Sequence, residues 1–190
     1  MKKAVFLDRD GTINEDVGHI TDPQMFELIP GSIDAMNRLR VAGYILPLIT
    51  NQAGVGRGLM TEQHLQTVLY AFVRLIEAAG TKVDGVYYCP HHPEEAIGVY
   101  KEECGCRKPA PGMLKRATED LGIDPSVSYM VGDHWTDVLA GNAAGCRSIL
   151  LRTGHGPREI AKLTEEELSV AAYIADDLAE AVDWILEQEG

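Results

Sequence analysis

The sequence predicts an α/β fold in which a mainly parallel sheet lies between two layers of helices. Short apolar runs alternate with amphipathic segments along the 190 residues, as in strand–helix–strand units. Cap residues flank the helical segments, and polar residues directly follow several apolar runs. Because the length suits one hydrophobic core and no repeat or low-complexity linker is visible, we expect residues 1–190 to form a single domain.

Six short apolar runs are predicted to be strands. The last is the weakest, and Pro47 is unusual inside the second because it forfeits a ladder hydrogen bond. The runs are AVFLD (4–8), YILPLIT (44–50), GVYYC (85–89), SYMVGD (128–133), SILLRT (148–153) and AYIA (172–175).

Five amphipathic segments are predicted to be helices. Thr61 is a typical N-cap, Pro111 suits a first turn, and Gly43 and Gly80 are typical helix stops. The segments are 31–43, 61–80, 111–122, 136–145 and 176–188.

The composition is acidic, with 29 Asp and Glu against 17 Lys and Arg and a formal net charge of −12. Nucleic acids and anionic membranes favour basic surfaces, so we expect neither as a partner. An anionic substrate would need cations placed locally. We expect the Glu-rich stretch 163–169, LTEEELS, to be solvated surface.

A cytoplasmic location is expected. The apolar run after Met1-Lys2-Lys3 is too short for a signal peptide, and no apolar stretch approaches the roughly 20 residues that cross a bilayer. Cysteines in that compartment are thiols or metal ligands rather than disulfides.

Polar residues stand where three of the predicted strands end. Asp8 and Asp10 follow the first, Thr50 and Asn51 end the second, and Asp133 ends the fourth. In doubly wound sheets ligands bind outside the carboxyl ends of the strands. We therefore expect the functional site at this edge.

Asp8 and Asp10 are two residues apart in an extended segment, so both should face one site while Arg9 points away. Two such charges about 4 Å apart repel by roughly 4 kcal/mol at an effective dielectric near 20. A carboxylate can attack phosphorus and form an aspartyl-phosphate if Mg²⁺ and a lysine offset that charge. Asp133 is the candidate further ligand for Mg²⁺, and Lys108 is the candidate lysine. Asp10 could then protonate the leaving group and later take a proton from water.

The loop at about 89–108 is predicted to bind structural Zn²⁺. It contains C-x-H and C-x-C pairs, which suit a closed set of four ligands: Cys89, His91, Cys104 and Cys106. His92 is an alternative to His91, and reduced cysteines in a mobile loop are the alternative to a metal site. Cys146 is expected to be a small buried hydrophobe.

Four motifs resemble those of the haloacid dehalogenase (HAD) phosphohydrolases, in the same order and over residues 3–155. These are DRDGTIN, the threonine that ends LPLIT, Lys108, and GDHWTD with Asp133 and Asp137. The resemblance implies an HAD-like Rossmannoid fold, with Asp8 as nucleophile and Mg²⁺ ligand. It also implies that Asp10 is the acid/base and binds Mg²⁺ through its carbonyl, and that Asp133 completes the metal site. Thr50 and Lys108 would hold the phosphoryl oxygens, and Asp137 either supports the site or is a helix N-terminal charge.

Four longer stretches resemble the D-glycero-D-manno-heptose 1,7-bisphosphate 7-phosphatases: GTINEDVGHI, TNQAGVGRG, YYCPHHP and CGCRKPAPGM. The resemblance implies Mg²⁺-dependent removal of the 7-phosphate, giving heptose 1-phosphate for nucleotide-activated heptose synthesis, without a large cap domain. His19 replaces a common tyrosine and His134 an expected lysine. The implied substrate contacts are Asp16, Val17, Gly18, His19, Asn51, Gln52, Ala53 and Arg107, and Arg57 and His134 are added as candidate phosphate contacts.

Histidinol-phosphate phosphatase and a phospho-acceptor signalling module are the alternatives to heptose bisphosphate phosphatase. Histidinol-phosphate phosphatases of the HAD type share the zinc loop, whereas a phospho-acceptor signalling module would leave the Asp8/Asp10 pair and that loop unexplained. The sequence does not specify the anomer at carbon 1 or the final glycan. We expect a monomer that acts on a small phosphorylated sugar.

Overall fold

The computed structural model describes residues 1–188, and within them six parallel strands and seven α-helices form three layers, helix on sheet on helix. The strand order is β3-β2-β1-β4-β5-β6. The predicted fold class is confirmed. The elements are β1 (Val5–Leu7), α1 (Ser32–Val41), β2 (Pro47–Asn51), α2 (Glu62–Ala78), β3 (Gly85–Cys89), α3 (Gly112–Leu121), β4 (Tyr129–Gly132), α4 (Trp135–Ala144), β5 (Arg147–Leu151), α5 (Gly156–Ile160), α6 (Glu165–Leu168), β6 (Tyr173–Ala175) and α7 (Leu178–Glu187).

Each predicted strand is present, with ends shifted by a few residues. Pro47 is the first residue of β2, a position where a missing N–H is tolerated, so it does not interrupt the ladder. Thr61 caps α2 by accepting a hydrogen bond from the backbone of His64. Two short helices, α5 and α6, were not predicted from the sequence. The α6 helix begins inside the Glu-rich stretch, where Thr164 and Glu167 form a capping box.

The sheet has one hydrophobic cluster on each face. Val5 and Leu7 point to the face covered by α1, α2 and α7, whereas Phe6 points to the face covered by α3 and α4. This alternation follows from the two-residue period of a strand. Burial on both faces explains why β1 is apolar throughout.

The parallel arrangement brings three strand ends together. β1 lies between β2 and β4, with Leu7 paired with Leu48 and with Val131. The amide of Asp8 donates to the carbonyl of Val131 across 3.0 Å, so the chain leaves the sheet beside β4. The residues after these strands therefore meet at one edge.

Two connections are long, residues 8–31 and 90–111, and each contains one 3-10 turn (Pro23–Met25 and Gly98–Tyr100). Within residues 1–188 neither forms a separate cap domain. No helix in that part of the chain has the length and apolar character needed to span a membrane.

Candidate active site

A cavity of about 190 Å³ opens at the carboxyl ends of β1, β2 and β4. Of the predicted site residues it brings together Asp8, Asp10, Asp16, Thr50, Asn51, Arg107, Lys108, Asp133 and His134. As predicted, Asp8 and Asp10 both line the cavity and Arg9 does not. Thr136, Asp137 and His155 also line it.

Lys108 is buried at the base of the cavity and bonds three oxygens. Its Nζ donates to Oδ1 of Asp8 across 2.7 Å and to the carbonyl of Ile49 across 2.9 Å, and it lies 2.5 Å from Oδ1 of Asp137. Burial works to lower the pKa of Lys108, but the two carboxylates outweigh it and raise the pKa above its usual range. The lysine is therefore a fixed cation against the predicted nucleophile.

Asn51 holds the backbone of Lys108 in place. Its Oδ1 accepts from the Lys108 amide and its Nδ2 donates to the Lys108 carbonyl, each across 3.1 Å. The residue that ends β2 thus fixes the lysine that ends the loop 89–108, here called the metal loop because it contains the predicted zinc ligands.

Asp8, Asp133 and Asp137 form a buried carboxylate cluster, with one oxygen from each within 4.8 Å of the others. Burial raises the pKa of Asp8 to about 7 and that of Asp133 to about 8, repulsion from the neighbouring carboxylates adds to both shifts, and Lys108 opposes them. Three carboxylates facing one ammonium leave a surplus of negative charge. Oxygen donors with that surplus fit a Mg²⁺ ion.

Two glycines give Asp133 its space. A Cβ on Gly11 (φ +73°) or on Gly154 (φ +48°) would lie 2.2 Å from Oδ2 of Asp133. The amide of His155 donates to the same oxygen across 2.7 Å. Thr153 joins the two glycine loops by donating to the carbonyl of Gly11. The loops after β1 and β5 thus form a cradle for this carboxylate.

Asp137 combines the two roles that the sequence left open. Its Oδ2 accepts from the amide of His134 across 3.0 Å and caps the first turn of α4. Its other oxygen meets Lys108.

Asp10 is bound by protein donors. Arg9, which is fully buried, donates from Nε to Oδ1 of Asp10 across 2.9 Å and from Nη2 to Oδ2. Asn14 donates to Oδ1 across 3.0 Å, and Gln52 to Oδ2 across 3.3 Å. Arg9 points away from the cavity as predicted, whereas its bonds to Asp10 were not predicted from the sequence.

The rim carries a histidine that the sequence analysis did not identify. Nε2 of His155 lies 2.7 Å from Oδ2 of Asp16, and its ring centroid is 5.5 Å from that of His134. Asp16 also accepts from the amide of Gly18. His155 follows β5 by four residues, so the strand-end argument extended to β5 would have found it.

Six of the predicted substrate contacts do not line the cavity: Val17, Gly18, His19, Gln52, Ala53 and Arg57. Arg57, a candidate phosphate contact, instead pairs with Glu95 and lies 3.0 Å from Nε2 of His19. Burial, with Arg57 adding to it, lowers the pKa of His19. Arg57 thus joins the loop after β2 to the metal loop through Glu95 and to the loop after β1 through His19.

The metal loop brings its four predicted ligands together. Cys89, Cys104 and Cys106 have sulfur separations of 3.0 to 3.4 Å, and Nδ1 of His91 lies 3.5 Å from the sulfur of Cys106. His92 uses its Nδ1 to accept from the amides of residues 94 and 95, so His91 is the imidazole that faces the thiols. Three sulfurs and one imidazole within 4.8 Å of one another suit zinc.

Cys146 lies apart from this cluster, buried among apolar residues under α4. Burial raises the pKa of its thiol to about 12. Its place in the core agrees with the predicted hydrophobic role.

Comparison with known proteins relates the chain to sugar phosphatases. Residues 105–181 match the HAD-hydrolase-like family model. The chain is 44% identical over 182 residues to the D-glycero-beta-D-manno-heptose-1,7-bisphosphate 7-phosphatase of Pasteurella multocida, covering 95% of each chain. It is 40% identical over 187 residues to the enzyme of that name from Escherichia coli K12, covering 98% of this chain and 95% of that one.

Solved structures of heptose bisphosphate phosphatases are also similar to this chain. The D,D-heptose 1,7-bisphosphate phosphatase from B. bronchiseptica, complexed with magnesium and phosphate, superposes with a TM-score of 0.83 at 32% identity over 98% of this chain and 99% of that one. The corresponding enzyme from Burkholderia thailandensis has a TM-score of 0.69 at 32% identity, covering 97% and 99%.

Proposed function

The chain belongs to the D-glycero-beta-D-manno-heptose-1,7-bisphosphate 7-phosphatase family of HAD-like hydrolases, and on that premise we propose that it removes the 7-phosphate of this sugar. The products are heptose 1-phosphate, for nucleotide-activated heptose synthesis, and inorganic phosphate. One observation carries the assignment most directly: a buried carboxylate, Asp8, faces the cavity while held by the ammonium of Lys108.

In the first half of the reaction an oxygen of Asp8 attacks phosphorus and the bond to the sugar oxygen breaks. The leaving alkoxide takes a proton from Asp10, which lines the same cavity. Lys108 and Thr50 both line the cavity. Their ammonium and hydroxyl groups donate hydrogen bonds that stabilise the charge on the phosphoryl oxygens. The result is an aspartyl-phosphate and free heptose 1-phosphate.

In the second half water attacks the phosphorus of the aspartyl-phosphate. Asp10, now a carboxylate, takes the proton from that water. The acyl–phosphate bond breaks, which releases inorganic phosphate and restores Asp8. Asp10 thus regains in the second half the proton that it gave to the leaving group in the first.

Mg²⁺ would be held by the side chains of Asp8 and Asp133 and by the backbone carbonyl of Asp10. When bound, it supplies positive charge that lets an anionic carboxylate approach an anionic phosphate. The charge surplus of the carboxylate cluster supports this assignment, as does the magnesium in the B. bronchiseptica structure.

The sugar and its second phosphate would be recognised at the rim. Asp16, Asn51, Arg107 and His134 line the cavity and are the best supported contacts. Those outside its lining, Arg57 among them, would contribute only by a movement of their loops.

Zn²⁺ would be bound by Cys89, His91, Cys104 and Cys106 and would have a structural role. Arg107, directly after the last ligand, donates from Nη1 to the carbonyl of His91 across 3.2 Å. Zinc would thereby hold Arg107 and Lys108 over the site. A reducing compartment such as the cytoplasm would keep the thiols available.

The test is phosphate release with Mg²⁺ from both anomers of heptose 1,7-bisphosphate and from histidinol phosphate. We expect the highest kcat/KM for a heptose bisphosphate, with only the 7-phosphate lost, and no turnover by Asp8→Asn. Asp183→Asn is the matched control, since Asp183 is an exposed carboxylate paired with Arg38. Preference for histidinol phosphate would refute the substrate, and an active Asp8→Asn would refute the mechanism.

A further inference from the structure

Arg9 stands between the two aspartates of the first motif, and the proposed reaction gives it no part. A fully buried arginine is rare and needs a partner. Its partner is Asp10, the next residue, to which Nε and Nη2 donate as a fork. Such bidentate pairs set the orientation of a carboxylate as well as its position. The ring of Phe26 lies behind the guanidinium, with its centroid 5.5 Å from Cζ.

The turn after β1 brings a second donor to the same carboxylate. The carbonyl of Arg9 accepts from the amide of Ile13 across 2.9 Å, and the amide of Gly11 donates to the carbonyl of Asn14 across 2.7 Å. This turn places Nδ2 of Asn14 3.0 Å from Oδ1 of Asp10. Arg9 and Asn14, both buried, thus hold Asp10 from the protein side.

The remaining donor to Asp10 is Gln52, which lies outside the lining of the cavity. Gln52 approaches Oδ2 across 3.3 Å, the longest of the four bonds, and its Nε2 also donates to Oγ1 of Thr50 across 2.8 Å. If Oδ2 gains a leaving-group oxygen as a partner from the cavity side and its bond to Gln52 is lost, Gln52 keeps Thr50 as a partner. An exchange that leaves no buried donor unpaired costs little free energy.

We propose that Arg9 is a positioning residue that acts through Asp10, an inference that rests on the proposed phosphatase reaction. Arg9 holds the carboxyl group of Asp10, which lines the cavity, in the orientation from which it meets the leaving-group oxygen. The proton of Asp10 moves to that oxygen as its bond to phosphorus breaks. Arg9 itself exchanges no proton and does not touch the substrate.

The test compares leaving groups, because p-nitrophenolate leaves without a proton whereas phenolate and a sugar alkoxide depend more on the acid. We would measure kcat/KM for p-nitrophenyl phosphate, phenyl phosphate and heptose 1,7-bisphosphate with wild type, Arg9→Met and Arg9→Lys. Correctly placed acid–base groups contribute about 10²- to 10⁴-fold. We expect Arg9→Met to lose about 100-fold on the two poorer leaving groups and less than about 10-fold on p-nitrophenyl phosphate. Arg9→Lys, which keeps the charge without the fork, should fall between.

The ratio of two kcat/KM values on one preparation does not depend on the folded fraction, so partial misfolding of Arg9→Met cannot imitate the result. Arg40→Met is the matched control. It removes a half-buried arginine that bonds Asp84 across 2.8 Å at the opposite end of β2, and it should leave the ratio unchanged. Equal losses on all three substrates in both Arg9 variants would overturn the inference. A wrong phosphatase assignment would give a different result from a wrong inference about Arg9, because wild type itself would then release no phosphate that depends on Asp8.

Discussion

Nζ of Lys108 donates a hydrogen bond to Oδ1 of Asp8 across 2.7 Å, although 100 residues separate them in the chain. The bond joins the end of the central strand to the end of the metal loop. It places a fixed positive charge on the carboxylate that is proposed to attack phosphorus.

Replacing Lys108 with methionine should lower kcat/KM about 10²- to 10³-fold, which is the usual cost of losing one preorganised charge-stabilising donor. Lys108→Arg should not restore activity, because a planar guanidinium cannot meet three oxygens that converge on one nitrogen. The measurement is steady-state kinetics at saturating Mg²⁺. Lys115→Met, on the exposed face of α3, is the control and should match wild type.

Without Mg²⁺, the protein should lose stability as the pH rises from about 5 to 8. The folded state raises the pKa of Asp8 to about 7 and that of Asp133 to about 8. At pH values between the ordinary carboxyl pKa and these raised values, the folded state therefore binds more protons than the unfolded state. The free energy of unfolding therefore falls with rising pH. The measurement is Tm against pH in Mg²⁺-free buffer, without a chelator that would also remove zinc.

Two controls accompany this experiment. Saturating Mg²⁺ should flatten the fall of Tm with pH because it neutralises the carboxylate cluster. Asp133→Asn should flatten the same fall because it removes one of the three carboxylates. An unchanged slope in Asp133→Asn would contradict the assignment of the pH dependence to this cluster.

Gly154→Ala should weaken Mg²⁺ activation at least about 10-fold and destabilise the fold by about 1–3 kcal/mol from backbone strain alone. The new Cβ would meet Oδ2 of Asp133 at 2.2 Å and Cα of Gly11 at 2.8 Å. Gly122→Ala is a close control because Gly122 also has positive φ (+68°) but has nothing within 4 Å of the added Cβ. If both variants bind Mg²⁺ as wild type does, Gly154 does not shape the metal site.

Cys104→Ser should abolish binding of one zinc equivalent, lower Tm and raise KM through Arg107. Cys146→Ser removes a sulfur from the core outside the cluster and should retain zinc. Metal content by mass spectrometry and KM for the bisphosphate are the readouts. Zinc retained in Cys104→Ser would refute the ligand set.

Most of the candidate site could be predicted because it lies at strand ends. Apolar runs identified β1, β2 and β4, and the parallel arrangement then required Asp8, Thr50 and Asp133 to converge. The clustering of Cys89, His91, Cys104 and Cys106 could also be predicted, because their spacing is a ligand pattern that can be identified without knowledge of neighbouring elements.

The partners of these residues could not be predicted in the same way. Arg9 pairs with Asp10 because the turn after β1 folds back, and His155 reaches Asp16 because the loop after β5 packs on that turn. Arg57, a candidate phosphate contact in the sequence, instead forms an ion pair with Glu95, which lies 38 residues later in the chain. Such pairings depend on which loops approach each other, and residue spacing carries no information about that.

The sequence by itself determined the fold class, the order of the six strands and five of the helices, and the residues able to carry phosphoryl-transfer chemistry, because periodicity and strand-end position are local properties. The tertiary structure decided the electrostatics: three carboxylates around one lysine, a glycine cradle around Asp133, and Asp10 held by a buried arginine. Charge interactions depend on distance and burial, and both exist only once the chain has folded.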